Sequence, residues 1–591
     1  MFTTRPEIAG TFGVVATTHW VASAVGMSVL ERGGNAFDAA VAAGFVLQVL
    51  EPHLNGPGGD SSILIHDARA DRQHEISGQG VSAAAATVDA YTGLGLDMVP
   101  GTGFLAATVP GAFGAWLLML RQWGTWELAD VLAPAISYAN NGVPLVPRIP
   151  AAIERMRPLF EAEWPTSAAV FLPGGKPPAV DGLFANPAIG ATYERIIRES
   201  SGAGTREARI EAAHDAWYKG FVAEAIGRYF AAEPMLDTSG ERHRGLLTAE
   251  DCARWTPQYG PPARYDYGQH TVLKCGPWSQ GPVFLQQLAL LKGVPVDAMD
   301  PLGADFVHTL AEVKKLAYAD REAFYGDPDL VQVPLETLLS DSYNDARRKL
   351  IGTPSLTLVP GTVEGFTTWV DHDAHTRADY LSRAPGAGEP TVARLGASGG
   401  DTVHVDVIDR WGNMVAATPS GGWLQSSPVV PELGFPLGTR GQMFSLRPGL
   451  PNSLAPGKRP RTTLSPSLAL RDGRAWMAFG TPGGEQQDQW SLIFFLRMVH
   501  HRLNIQQAID MASFHSEHWP SSFWPRASRP NRLVLEGRFP AATAEALRKM
   551  GHEVEVGDDW SEGRLSAARL EDGILRAGAN PRGMQGYAVG R

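Results

Sequence analysis

Cysteine is nearly missing from this chain: its 591 residues include two, Cys252 and Cys275. A disulfide-stapled scaffold is excluded, and so low a thiol content suits a reducing compartment. Cys275 precedes a Gly-Pro turn, where a structural role is expected. Long hydrophobic runs are missing too, since no window approaches the roughly 18 consecutive apolar residues of a membrane-spanning helix. The opening MFTTRPEIAGTFGVVATTHW has one arginine and no apolar core segment, so no secretory signal is expected and a cytoplasmic location is. Positive charge is in deficit: the net charge is −11 and there is no long basic run, which argues against a nucleic-acid partner. There is no HExxH, no Walker loop and no GxSxG elbow, since Gly396-Ala397-Ser398-Gly399-Gly400 matches those letters only within a loose small-residue tract, which leaves a metalloprotease, a serine hydrolase or a P-loop enzyme without support. No internal repeat is visible.

What the chain does have is core-forming material, with 44% of its residues hydrophobic. Length alone suggests two to four domains, although single enzymes of this size exist. His19 to Arg32 has helical apolar spacing and stops at Gly33-Gly34; Asn35 is then a credible N-cap for an Ala-rich helix to about Leu50. Residues 107–230 and 244–350 are mainly helical by pattern. Residues 402–418 and 465–481 read as strands, with Gly412-Asn413 and Asp472-Gly473 as hairpin turns. The tract from about 352 to 400 is rich in Pro, Gly and Thr and has weak periodicity.

The most informative stretch is GGDTVHVDVIDRWGNMVAATPSGG, residues 399–422. Val403, Val405 and Val407 fall on one face of the predicted strand, and Thr402, His404 and Asp406 on the other. A small-residue lead into a threonine on a rigid strand suits a chain that cuts itself between Asp401 and Thr402. The freed Thr402 would combine nucleophile and base: its hydroxyl attacks, and its own α-amine, with a pKa of about 8, takes the proton. The alternative is a flexible loop entering an ordinary strand.

Further blocks bear on that choice. Residues 16–60 contain Gly-Gly-Asn-Ala-x-Asp-Ala-Ala between two helices, then Glu-Pro and a glycine loop. ATVPGAFGAW (107–116), Pro-Trp-Ser-Gln-Gly (277–281), AEVKKLAYADREAFYGDPDLVQVP (311–334), PGKRPRTTLSPSLALRDG (456–473) and FGTPGGEQQ (479–487) follow in order. This series resembles the γ-glutamyltranspeptidase family of N-terminal-nucleophile hydrolases across nearly the whole chain. The resemblance implies a four-layer αββα sandwich. It also implies a large subunit, 1–401, ending in a loose tail over 352–401, and a small subunit, 402–591, that shares one core with it. Thr402 stands at the nucleophile position, Gly483-Gly484 at the oxyanion glycines, and Thr418 and Ser420 at hydroxyl positions that steady the nucleophile. Thr462-Thr463 replace the family's paired serines. No cofactor or metal is implied; a small-molecule substrate is, and assembly as a homo-oligomer is left open.

The substrate positions depart from the family's central members. The arginine expected to take an α-carboxylate falls on Gln79, the acid expected to take an α-ammonium falls on Met443, and an expected asparagine falls on Gly422. Arg440, glycine-flanked in Leu437-Gly438-Thr439-Arg440-Gly441-Gln442-Met443, is the replacement candidate, because its planar fork suits a carboxylate. A surface arginine in a turn is the alternative. One cation and no anion fits an amide that bears a carboxylate but no amine, as oxamate does, and residues 409–444 resemble the oxamate amidohydrolase branch. A γ-glutamyltransferase or glutathione hydrolase with an altered pocket is the alternative, and a non-processing binding protein a third reading. Asp371-His372-Asp373-Ala374-His375 looks like metal-ligand material but reads better as a solvated loop. His515 and His518 are three residues apart, with no third ligand evident.

Overall fold

The computed structural model of the chain describes residues 2–382 and 402–591. Asp401, and with it one side of the expected cleavage point, lies outside the described residues. Two seven-stranded antiparallel sheets form the centre. The first runs Tyr587–Gly590, Gly13–Thr17, Val405–Asp409, Met414–Ser420, Asp60–Asp67, Arg72–Gly78 and Gln258–Gly260. The second runs Ile8–Gly10, Ile574–Ala579, Ser566–Glu571, Arg474–Gly480, Ser467–Arg471, His270–Lys274 and Ala263–Tyr267. Strands from before residue 382 and after residue 402 are interleaved in both sheets.

Side-chain alternation decides the layers. Val405, Val407, Val415 and Ala417 of the first sheet pack outward with Ile63 and Ile65, in one cluster with the helices Trp20–Glu31, Ala36–Leu50 and Ala112–Trp123. Met477, Phe479 and Val272 of the second sheet pack on its other side, with the helices Pro282–Leu291, Ala304–Phe324 and Gln487–Val499. Between the sheets lie smaller side chains, among them Val14, Ala16, Ile408 and Ala416 facing Leu468, Ala478, Ala568 and Ala577. The result is the expected αββα sandwich. Cys275 belongs to this inter-sheet layer, and both cysteines are buried and unbridged.

Several local expectations hold. The first helix spans Trp20–Glu31 and the second Ala36–Leu50, where Asn35 accepts from the backbone of Phe37 and Asp38, and Asp38 completes a capping box. That second helix is buried on all sides, which explains why its sequence is apolar all round. Asp472 and Gly473, with φ of 49° and 75°, form the tight turn between Ser467–Arg471 and Arg474–Gly480.

Two expectations need correction. The stretch 244–350 is not mainly helical from end to end, because it contributes Gln258–Gly260, Ala263–Tyr267 and His270–Lys274 to the sheets. Both of the first two are edge strands: Gln258–Gly260 has only three residues, and Ala263–Tyr267 has five, with Ala263, Tyr265 and Tyr267 on the core side and Arg264 and Asp266 exposed, an alternation too short to stand out. The tract 352–382 is not a loose tail: Leu358, Val363 and Val370 enter the second outer core, Ala374 is buried, and its carbonyl accepts from Ser528 N.

Candidate active site

Thr402 sits where the strand Val405–Asp409 is reached from its N-terminal side, opposite Ser420 in an antiparallel bridge. Val403 N donates to Pro419 O at 3.0 Å, so the flanking pairs Thr402–Ser420 and His404–Thr418 are of the non-hydrogen-bonded kind, whose side chains come closest. Thr402 Oγ1 and Ser420 Oγ are accordingly 3.1 Å apart, and His404 Nδ1 lies 2.8 Å from Thr418 Oγ1. His404 Nε2 is 3.0 Å from Asp406 Oδ1, and Ser566 Oγ donates to Asp406 Oδ2 at 2.7 Å. All these side chains are buried. Burial raises the Asp406 carboxyl above its ordinary value, opposed by His404 and Ser566.

A glycine loop closes one side of this strand end. Gly421 and Gly422 have φ of 72° and 62°, and a Cβ built on Gly59 would lie 2.1 Å from Ser420 O. Glycine is required here because two backbones touch. The loop delivers Asp60, whose carboxylate oxygens lie 3.1 and 3.0 Å from Arg440 Nε across 380 residues of sequence. The reading of one cation and no anion is therefore corrected, since Arg440 comes with an acid that only the tertiary fold supplies. Arg440 is 1% exposed and its guanidinium lies 5.2 Å from the Trp423 ring centroid and 5.8 Å from that of Phe523. Its Nη1 and Nη2 have no hydrogen-bond partner, an expensive arrangement for a buried cation. Met443, where the sequence led one to expect an acid, packs with Trp423 and Phe523 in an apolar cluster.

Gly483 and Gly484 follow the strand Arg474–Gly480 and precede the helix Gln487–Val499, with φ of 125° and 50°. A Cβ at Gly483 would meet the Trp490 ring at 2.6 Å. Their place ahead of a helix N-terminus suits backbone donors facing a developing negative charge. Gln280, quoted in a motif but given no role by the sequence, joins this loop to the paired threonines: its N donates to Thr462 O at 2.9 Å and its Nε2 to Gly484 O at 3.1 Å. Arg321 Nη1 in turn donates to Gln280 Oε1 at 3.0 Å. Thr462 Oγ1 accepts from Leu464 N, whereas the buried Thr463 hydroxyl has no partner. Gln79 lines a cleft of about 440 Å³ with Asp251, Trp255, Asp327 and Arg459, a cleft that none of Thr402, Ser420, Arg440, Gly483 or Gly484 lines.

The metal-like motifs are engaged otherwise. Asp371 pairs with Arg377, and His372 and His375 are exposed. His515 is pushed down by burial, but the Glu562 and Glu517 carboxylates outweigh this and hold it up to about 9. His518 is lowered to about 3 by burial and the charge of Lys315. His515 Nδ1 lies 2.6 Å from Glu562 Oε2, and His518 Nδ1 accepts from Asn531 N at 2.7 Å, so each ring is held by a different partner. Among the described residues, His308, Glu312 and His552 bring ligand-type atoms together, but Lys315 Nζ lies 2.7 Å from Glu312 Oε1 and already neutralises that carboxylate.

Residues 22–590 match the family model of γ-glutamyltranspeptidase. The glutathione hydrolase-like YwrD proenzyme of Bacillus subtilis (strain 168) is 31% identical over 591 residues, covering 99% of each chain. The acylase ACY 1 proenzyme of Pseudomonas sp. (strain SE83) is 30% identical, over 97% of this chain and 93% of its own. The oxamate amidohydrolase proenzyme of Klebsiella pneumoniae subsp. pneumoniae is also 30% identical, over 98% of both. Among solved structures, that of LmbA2991T421A is 56% identical with a TM-score of 0.94 and full coverage of both chains. That of cephalosporin acylase from Bacillus halodurans is 29% identical with a TM-score of 0.83, covering 100% of this chain and 97% of that one.

Proposed function

The chain belongs to the γ-glutamyltranspeptidase family, and from that premise we propose that it is a self-processed amidohydrolase for a small amide whose acyl half carries a carboxylate. Oxamate, giving oxalate and ammonia, is the smallest such substrate. Cleavage between Asp401 and Thr402 would yield a large subunit, 1–401, and a small one, 402–591, that remain interleaved. The observation that carries the substrate class is Arg440: two buried guanidinium nitrogens without partners, the third nitrogen pinned by Asp60.

In this reading Thr402 Oγ attacks the amide carbonyl carbon and its proton passes to the Thr402 α-amine. Gly483 and Gly484 N–H groups stabilise the oxyanion, and Ser420 orients the hydroxyl. Collapse of the tetrahedral intermediate breaks the C–N bond, and the proton leaves with ammonia. Water then attacks the acyl–Thr402 ester, releasing the carboxylate product and restoring the hydroxyl. Thr418, Thr462 and Thr463 line or support this site. A specific observation favours a second reading, a γ-glutamyl amide such as glutathione: the Asp60 carboxylate beside Arg440 offers an anion to an α-ammonium. The near-equal identities to the oxamate, glutathione and acylase proenzymes do not separate the readings. No helix among the described residues is long and apolar enough to cross a membrane. With two buried thiols and no disulfide, a reducing cytoplasmic setting is part of the proposal. The test is steady-state kinetics on oxamate and glutathione side by side. Turnover of oxamate alone supports the first reading, turnover of glutathione alone selects the second, and turnover of neither by a processed chain overturns both.

A further inference from the structure

The candidate nucleophile and the candidate oxyanion donors stand on different sheets. Thr402 leads into a strand of the first sheet, and Gly483 and Gly484 leave a strand of the second. Their separation depends on how the two sheets are held apart close to the site. Most of the inter-sheet layer is apolar, which fills space without fixing a direction. The polar chain Thr418–His404–Asp406–Ser566 is different. It starts on the first sheet, on the two strands that carry Ser420 and follow Thr402, and ends at Ser566 on the second. An ionised Asp406 accepts from Ser566 Oγ and from His404 Nε2–H, and in a neutral imidazole Nδ1 then accepts from the Thr418 hydroxyl. Both ring nitrogens of His404 are thereby engaged.

The imidazole also lies flat against Gly480, the last residue of the strand that runs on to Gly483. A Cβ built on Gly480 would be 2.3 Å from His404 Cε1 and 2.6 Å from Nε2. Only a glycine admits the ring, and the ring in turn limits how near that backbone can come. We propose that His404, oriented by Asp406 and seated on Gly480, is a positioning residue that sets the distance between Thr402 and the Gly483–Gly484 donors. It acts through the spacing of the two sheets and touches no reacting atom. The proposal rests on the nucleophile and oxyanion assignments made above, and deepens them.

The consequence is specific. An oxyanion contact is made fully only in the transition state, so a small misplacement lowers kcat and leaves KM nearly unchanged. Gly480→Ala, which pushes a methyl group against the imidazole, should lower kcat on the faster of oxamate and glutathione at least tenfold, with KM within twofold of wild type. If neither amide is turned over, the half-time of self-cleavage, which needs no added substrate, should lengthen by the same factor. His404→Ala alone should also be slow. The double variant His404→Ala/Gly480→Ala should be no slower than His404→Ala within twofold, because the added methyl then has nothing to strike. Wild-type kcat in Gly480→Ala, or losses that multiply in the double variant, would overturn the proposal. Should Gly480→Ala fail to fold, Ser566→Ala removes only the far anchor and should lower kcat about threefold at constant KM; no change there also overturns it. Thr402→Ala made in parallel separates the two ideas. If it stays active the nucleophile assignment falls, whereas if it is dead while Gly480→Ala is normal, only the role of His404 falls.

Discussion

At the scale of single residues, the proposed function gives Thr402 and Ser420 to the reaction and Arg440 to recognition. Thr402→Ala should abolish both self-cleavage and amide hydrolysis. An intact-mass spectrum would then show one chain of 63.5 kDa in place of two fragments joining at 401/402. Two fragments from the variant would remove Thr402 from the nucleophile role. Arg440→Ala should leave cleavage intact but raise KM for a carboxylate-bearing amide by roughly ten- to a hundredfold, the worth of one charged hydrogen-bonding group. Arg440→Lys should fall between, since a lysine keeps the charge and loses the planar fork. An unchanged KM in Arg440→Ala takes it out of the site. Asp60 marks the limit of reading residues from sequence. It directly follows the glycine loop that was recognised, yet nothing local says that its carboxylate meets Arg440, because the pairing spans 380 positions. Met443, where the resemblance led one to expect an acid, packs against Trp423 and Phe523.

At the scale of elements, the readings that succeeded rest on local physics. Asn35 is an N-cap because its side chain takes two backbone donors, and Asp38 returns the bond to Asn35 N. Asp38 also accepts from Thr125 and Trp126, so this helix start anchors a neighbouring segment. Asn35→Ala should cost about 1 kcal/mol of folding stability, read from denaturant unfolding as a lower midpoint at constant slope; an unchanged midpoint would show that packing alone holds the helix. Strands such as Val405–Asp409 were legible from alternation and the Asp472-Gly473 turn from its residue types. Edge strands such as Ala263–Tyr267 were not, since its core-side residues Ala263, Tyr265 and Tyr267 make an alternation of only five positions. Most of the tract after 352 was misjudged for a similar reason. A chain without regular periodicity can still be pinned by a few buried side chains, as Leu358, Val363 and Val370 pin it here.

At the scale of the whole molecule, termini and middle are woven together, and buried acids record it. Glu51 lies among Thr18, Gln585, Arg148 and Arg564; burial pushes its carboxyl up to about 7 against the hydrogen bonds and charges of those neighbours. Its folded value stands above the ordinary 4.5, so the folded state holds the proton more tightly than the unfolded chain. Its contribution to stability is greatest below about 4.5 and is lost as pH rises through about 7. Glu51→Gln, a mimic of the protonated form, should therefore gain on wild type by about 3 kcal/mol between those pH values; parallel stability–pH curves for the two proteins would contradict this. Glu75, also held up to about 7 by burial, acts in the same sense and remains in the variant. The sequence by itself determined the family, the layered fold class, the candidate nucleophile strand, the glycine turns and the main helices. Each of these is written in short-range patterns: hydrophobic period, capping residues and motif order. Only the tertiary structure decided that Asp60 clamps Arg440, that Gln280 joins Thr462 to Gly484, that Gln79 shares a cleft with Asp327 and Arg459, and that His404 spans from one sheet to the other. Those contacts join residues far apart in the chain, and their partners are selected by the sheet order and the packing of layers, which no local pattern encodes.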